Sequence, residues 1–204
     1  MAAVLAILLL AALAWRVRGG SLAGTAAPLA LAATGFGGMV YQLALTFAFQ
    51  ALYGYVYLWI GLLVSVFMAG AAGASLLLSR PIGPARRPFL GFELALVAFS
   101  LFLPAAFQAL TKFPVPDNLL KGAFLTLSLV SGALTGAQFP LACRLRGPRN
   151  AALFASDLLG GWLGAVAGGA ALLPALGLPR ACLAVALLKL ASLILCAAAL
   201  EDKA

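Results

Sequence analysis

Residues 33–76 read ATGFGGMVYQLALTFAFQALYGYVYLWIGLLVSVFMAGAAGASL, without a single aspartate, glutamate, lysine or arginine. A soluble domain carries charge on roughly a quarter of its residues, whereas a surface that faces lipid does not need charged side chains. Over the whole chain of 204 residues, 65% are hydrophobic and 9% are charged. We therefore predict an integral membrane protein whose solvent is the lipid bilayer, with no soluble catalytic domain.

Further apolar runs of membrane-spanning length lie on both sides of this stretch. A helix needs about 20 apolar residues to cross a core about 30 Å thick, and all runs except a short first one reach that length. The predicted fold class is an all-α polytopic transmembrane bundle of about seven helices, six plus the short first one, in a single domain over residues 1–204. The predicted helices are 2–15, 28–53, 56–79, 89–110, 119–143, 151–176 and 181–200.

The basic residues are concentrated in every second loop between these runs. Because cytoplasmic loops are enriched in lysine and arginine, this alternation predicts an outside N-terminus and a cytoplasmic C-terminus in a bacterial inner membrane. The net charge of +8 is interpreted as topology signals and contact with anionic lipid rather than as nucleic-acid binding. The loops with the excess hold Arg16, Arg18, Arg80, Arg86, Arg87, Arg144, Arg146 and Arg149.

The chain has no histidine and three cysteines. Without histidine, a His-ligated haem, the usual His-containing metal sites and a histidine general base are excluded. No nucleophile–base pair or metal cluster is visible in the sequence. We expect no cofactor, no metal and no enzymatic activity.

Small residues recur at four-residue spacing on the predicted helix 151–176. Helices in lipid associate where small residues let their backbones approach, so this face predicts a helix lying directly against it. A weaker row on the predicted helix 56–79 includes Gly73. The predicted packing glycines are Gly160, Gly161, Gly164, Gly168, Gly169 and Gly73.

Polar side chains at membrane depth are costly, so each one is a candidate for function. Thr34, Gln42, Thr46 and Gln50 form one stripe, and Ser128, Ser131, Thr135 and Gln138 form another. The two stripes either line a common cavity or bond helix to helix. The candidate intramembrane polar site comprises Asp157, Lys189, Gln42, Thr46, Gln50, Ser131, Thr135 and Gln138.

Three charged residues lie inside predicted spans. Lys189 lies near the middle of the last span, too deep for its stem to reach the interface. We predict that it pairs with Asp157 or lines a polar cavity, and that Asp157 faces the packed side of its helix. Glu93 begins its span close to Arg86 and Arg87, so we predict a surface ion pair there.

Aromatic residues surround the tight turn at Gly54. Amphipathic rings favour the headgroup level, so we interpret them as interfacial anchors, with an aromatic cage for a cationic ligand as the alternative. The residues concerned are Tyr53, Tyr55, Tyr57 and Trp59.

Two segments, residues 33–76 and 139–178, resemble the membrane region of bacterial spermidine-synthase-like membrane proteins. The most specific motifs are FQALYGYVY at 49–57 and DLLGG at 157–161. In that family a multi-helix module, often compared with major-facilitator transporters, is frequently fused to an aminopropyltransferase-like domain. This chain departs at Gln42, where the family often has an acid, and shows no nucleotide-binding glycine turn. The resemblance therefore implies the membrane module without the synthase domain and its chemistry.

Two functions are consistent with these features. The first is a membrane-embedded transporter-like or solute-binding module, with polyamine-like cations as the candidate solute. The second is a non-catalytic integral membrane subunit or anchor of a larger synthase-like or redox complex. We expect a homo-oligomer or other membrane subunits as partners, because seven helices are half the usual size of a major-facilitator transporter.

Overall fold

The computed structural model describes residues 22–54, 57–80, 83–112, 116–146 and 151–201. The elements are helices joined by short connections, and the predicted first helix, 2–15, lies outside the described residues. In order they are α1 Leu22–Tyr53, α2 Tyr57–Leu78, α3 Arg86–Lys112, α4 Asp117–Arg146, α5 Ala151–Ala167, a π-helical segment Gly168–Leu172 and α6 Leu173–Glu201. The all-α prediction is confirmed.

By length and composition, five helices in the described residues are apolar and long enough to cross a membrane. Seven separate spans are not supported, because the predicted helices 151–176 and 181–200 form one continuous candidate, Ala151–Ala199. This run of 49 residues would extend to about 74 Å as one straight helix. That is more than twice the thickness of a bilayer core.

The long run folds back on itself at Gly177. Its φ of 71° and ψ of 168° fall in a region that is essentially restricted to glycine. Before the turn, Gly160 lies against Ala32 and Gly168 against Val40, so α5 runs parallel to α1. After the turn, Lys189 bonds Thr34 and the Cys196 thiol lies 3.7 Å from the carbonyl oxygen of Ala26. The leg after Gly177 is therefore antiparallel to α1.

The helices are arranged as two halves of similar design. The starts of α1 and α4 are 95 residues apart, and the starts of α2 and α5 are 94 residues apart. Two glycines with positive φ, Gly83 at 67° and Gly177 at 71°, are also 94 residues apart, and each precedes the third leg of its half. Each half therefore has three helical legs joined in the same order.

Contacts between the halves follow the same symmetry. In each half the second helix packs mainly on the first helix of the other half, α2 on α4 and α5 on α1. The pairs α1–α4 and α3–α6 meet between the halves. Because three legs return the chain to the opposite side, the second half is inverted relative to the first.

Large apolar side chains cover the outside of the bundle. Leu58 is 79% exposed, Leu77 is 72% exposed and Trp162 is 61% exposed. In water, so much exposed apolar surface would drive aggregation. A bilayer is the solvent in which this surface is stable.

Glycines at two helix pairs permit backbone contact. A Cβ added at Gly160 would overlap the backbone of Ala32, and one added at Gly164 would lie 2.8 Å from the Cα of Phe36. At the α2–α4 contact, a Cβ on Gly70 would lie 3.0 Å from the amide nitrogen of Ala133. The prediction that another helix lies directly against the glycine face of 151–176 is confirmed.

The individual packing predictions differ in outcome. A Cβ added at Gly168 would lie 3.1 Å from the Val40 side chain, while one at Gly161 or Gly169 would make only ordinary contacts at 3.7 Å. The prediction for Gly73 stays a prediction, since nothing in the described chain lies within 4 Å of a Cβ there. On the same helix it is Gly70 that is turned toward α4.

Candidate functional site

A buried ion pair lies between the two halves of the bundle. Lys189 on α6 approaches Glu93 on α3, with 2.6 Å between Nζ and Oε1, and both side chains are fully buried. Lys189 also donates to the Thr34 hydroxyl at 2.9 Å. Gln138 on α4 donates from Nε2 to the same Glu93 oxygen at 3.1 Å. We call Thr34, Glu93, Gln138 and Lys189 the junction cluster.

Each half contributes two members of the junction cluster. Thr34 and Glu93 come from the first half, and Gln138 and Lys189 come from the second. Two charges buried in low dielectric are stable only if they are paired and hydrogen-bonded, which the cluster achieves across four helices. The position of every member therefore depends on how the halves are docked.

The prediction of a surface ion pair for Glu93 is wrong. Glu93 lies on the buried face of α3. The residues of this face recur at three- and four-residue spacing and point inward. The side chains of that face are Phe89, Glu93, Leu96, Ser100, Leu103 and Phe107, all buried. The signal in the sequence that could have revealed Glu93 is its seven-residue spacing from Ser100, the other polar member of this face.

The suggested pair of Lys189 with Asp157 is also wrong, because the partner is Glu93. Asp157 lies on α5, where that helix packs on the other side of α1, and its Oδ1 is 3.0 Å from a Cβ position at Gly35. It faces the packed side of its helix, as predicted. Within the described residues it lies at the close contact between α5 and Gly35 of α1.

The two predicted polar stripes face each other along α1 and α4. The Ser128 hydroxyl lies 3.0 Å from Gln42 Oε1 and 2.8 Å from the Leu63 carbonyl oxygen, and its one proton is shared between these two acceptors. One turn before Gln42 on α1, Gly38 packs against Thr135. One further turn toward the start of α1 lies Thr34, which belongs to the junction cluster together with Gln138 of α4. The bond between Gln42 and Ser128 joins two helices, which agrees with the second of the two interpretations of the stripes.

Other members of the stripes bond within their own helices. The Thr46 hydroxyl donates to the Gln42 carbonyl at 2.8 Å, Ser131 to the Ser128 carbonyl at 2.9 Å and Thr135 to the Ser131 carbonyl at 2.8 Å. Gln50 is half-buried near the opposite end of α1. These bonds satisfy the hydroxyls locally and leave no hydroxyl proton for a ligand.

Several buried polar atoms have no hydrogen-bond partner among the described residues. They are Gln42 Nε2, Glu93 Oε2, Gln138 Oε1 and Ser192 Oγ. Such atoms cost about 1–3 kcal/mol each when left unpaired. Two of the four belong to the junction cluster, so the cluster retains capacity for hydrogen bonding.

Part of the predicted aromatic group surrounds an ammonium from the chain itself. Lys121 Nζ lies 5.2 Å from the ring centre of Tyr53 and 5.5 Å from that of Trp59. It also pairs with Asp117 at 2.5 Å. Tyr57 is exposed, and Tyr55 lies outside the described residues. Asp117 and Lys121 were missed because neither lies inside an apolar stripe.

A hydrogen bond from Tyr41 adds a polar contact between α1 and α3. Its hydroxyl lies 2.5 Å from the Ser100 hydroxyl, and Ser100 itself donates to the Leu96 carbonyl at 2.7 Å. Both side chains are fully buried. The inward face of α3 is thus held at two levels, Glu93 and Ser100, about ten ångströms apart along the helix.

Comparison of the chain with models of protein families, with curated proteins and with solved structures finds no match.

Proposed function

We propose that this chain is a membrane-embedded transporter-like or solute-binding module. The observation that carries the proposal is the junction cluster, a fully buried Glu93–Lys189 pair whose members come from two inverted halves. In transporters built from inverted repeats, binding sites lie where the halves meet, and transport follows from one half moving against the other. Paired charges inside a membrane are otherwise rare and expensive.

The proposed orientation follows the distribution of basic residues. With the C-terminus in the cytoplasm of a bacterial inner membrane, Arg86, Arg87 and Arg144 lie at the cytoplasmic end. Glu93 is seven residues into α3, about 10 Å along the helix. The junction cluster would then lie in the cytoplasmic half of the bilayer.

A small amine-bearing cation is the proposed solute class. Tyr53, Trp59 and Asp117 already hold one primary ammonium, that of Lys121, at the outer end of the bundle. Aromatic faces and a carboxylate together form the usual recognition chemistry for such groups. A polyamine end would compete with Lys121 for this surface before moving inward.

Uptake by reconstituted vesicles tests the proposal. Vesicles containing the wild-type protein are expected to accumulate labelled spermidine faster than empty vesicles. Glu93→Gln, which keeps the shape but removes the charge, is expected to reduce uptake at least tenfold because the pair between the halves is lost. Gly61→Ala, at a position with open space around it, serves as the control and is expected to transport normally.

Mild purification separates this proposal from the alternative of a subunit in a larger membrane complex. A monodisperse homo-oligomer whose melting temperature rises with spermidine would support the transporter-like function, because a ligand that binds the folded state stabilises it. A second chain in fixed stoichiometry, together with uptake no faster than that of empty vesicles, would favour the subunit.

A further inference from the structure

The contact between Glu93 and Gln138 is half of a complete acid–amide pair. Gln138 donates from Nε2 to Glu93 Oε1 at 3.1 Å. The remaining atoms of the two groups, Glu93 Oε2 and Gln138 Oε1, have no hydrogen-bond partner in the described structure. Both are acceptors when the acid is ionised, so neither can satisfy the other.

One added proton would let these two unsatisfied atoms bond to each other. A carboxyl group protonated on Oε2 can donate to the amide Oε1 while its Oε1 continues to accept from the amide Nε2. We propose that Glu93 is a proton-binding site of this membrane domain, and that Gln138 is the residue that recognises its protonated form. The step forms one O–H bond on Oε2, the proton comes from hydronium in the adjoining water, and nothing is oxidised or reduced.

Lys189 keeps its place during this step but loses most of its attraction to the acid. Its Nζ still has the Thr34 hydroxyl and the Oε1 of the neutral acid as acceptors. The cluster changes from neutral to singly positive, and the Coulomb attraction between α3 and α6 is removed. If the proposed transport function is correct, proton binding thereby loosens the halves and couples to their movement.

The other groups around Glu93 do not replace Gln138 in this role. On α6 the acid pairs with Lys189, and the Cys196 thiol on α6 and the Tyr41 hydroxyl on α1 are near enough to interact with it electrostatically. From α4 the polar neighbour is Gln138. Thiols and phenols are neutral at ordinary pH, so Lys189 is the one charged group in this set, and the carbonyl oxygen of Gln138 is the acceptor that a protonated carboxyl group would use.

Infrared difference spectroscopy of the purified protein tests the site without any transport assay. Acidification is expected to produce the C=O band of a protonated carboxyl, and ¹³C-labelled glutamate is expected to shift it. The chain has two glutamates, Glu93 and Glu201, so the band should persist in Glu201→Gln and disappear in Glu93→Gln. In Gln138→Leu it should move to higher frequency, because the O–H group loses its acceptor, while Ser128→Ala should leave it unchanged.

The proposal would be overturned if Glu201→Gln protein, in which Glu93 is the remaining glutamate, shows no glutamate carboxyl band at any pH where it remains folded. A band that does not move in Gln138→Leu would overturn it equally. Because ¹³C-glutamate in Glu201→Gln reports on Glu93 alone, the assignment does not depend on whether Glu93→Gln folds. A clear Glu93 band combined with absent spermidine uptake would retain the proton site and reject the proposed transport function.

Discussion

Glu93→Leu is expected to lower the free energy of unfolding by about 3–5 kcal/mol, because it leaves the Lys189 ammonium buried without its counter-ion. Lys189→Met is expected to lower the free energy of unfolding by a similar amount, because it leaves the Glu93 carboxylate buried without its counter-ion. Both side chains are fully buried, so neither orphaned charge can reach water without moving a helix. Reversible unfolding in mixed micelles measures the effect.

The double variant Glu93→Leu/Lys189→Met is the decisive control for this prediction. Replacing a whole buried pair by apolar residues of similar volume is often neutral or stabilising. We therefore expect the double variant to be more stable than either single variant. If the two single losses simply added, Glu93 and Lys189 would not be partners.

Gly70→Ala is expected to destabilise the α2–α4 contact by about 1–3 kcal/mol, as for overpacked cores. The new methyl group would meet the backbone at Leu129 and Ala133, which no rotamer change can move. Gly73→Ala, on the same helix and with the same change in chemistry, meets nothing within 4 Å in the described chain. It should be neutral or slightly stabilising, since alanine favours the helix.

Thermal unfolding of the two variants side by side measures this difference. Equal melting temperatures for Gly70→Ala and Gly73→Ala would contradict the close packing of α2 on α4. A Gly73→Ala variant that folds normally but changes oligomeric state would instead show that its open face contacts another chain.

The sequence predicts the spans well because length and apolarity are enough to identify them. It also places the boundary between the last two legs, because the gap between the predicted helices 151–176 and 181–200 contains Gly177, whose positive φ reverses the chain. The 94-residue spacing of Gly83 and Gly177 was present in the sequence, but its meaning depends on the contacts between the halves.

The polar stripes were a better guide to the site than the charges were. Because α1 and α4 are antiparallel neighbours, residues of the two stripes meet in order, as Gln42 with Ser128 shows. Pairing of charges depends on which helices are adjacent, and sequence spacing does not reveal that. Proximity in sequence to Arg86 and Arg87 suggested a surface position for Glu93, and the inward face of α3 decides otherwise.

Because the outer face of each helix contacts lipid, helical periodicity was a weak signal of which face is buried in this chain. In a soluble helix, a buried face stands out because the opposite face is polar. Here the opposite face of α3 carries Leu94, Leu101 and Phe102, which are exposed and suit the bilayer. Only the polar members of the inward face, Glu93 and Ser100, distinguish it from the lipid-facing side.

The distance between Lys189 Nζ and the carboxyl carbon of Glu93 tests the central claim most directly. Solid-state NMR on protein with ¹⁵N-lysine and ¹³C-glutamate can measure it in lipid. The Glu93–Lys189 pair, at 2.6 Å between nitrogen and oxygen, predicts a strong contact that is lost in Glu93→Gln labelled in the same way. A lysine contact that appears with ¹³C-aspartate and vanishes in Asp157→Asn would contradict the pairing across the two halves.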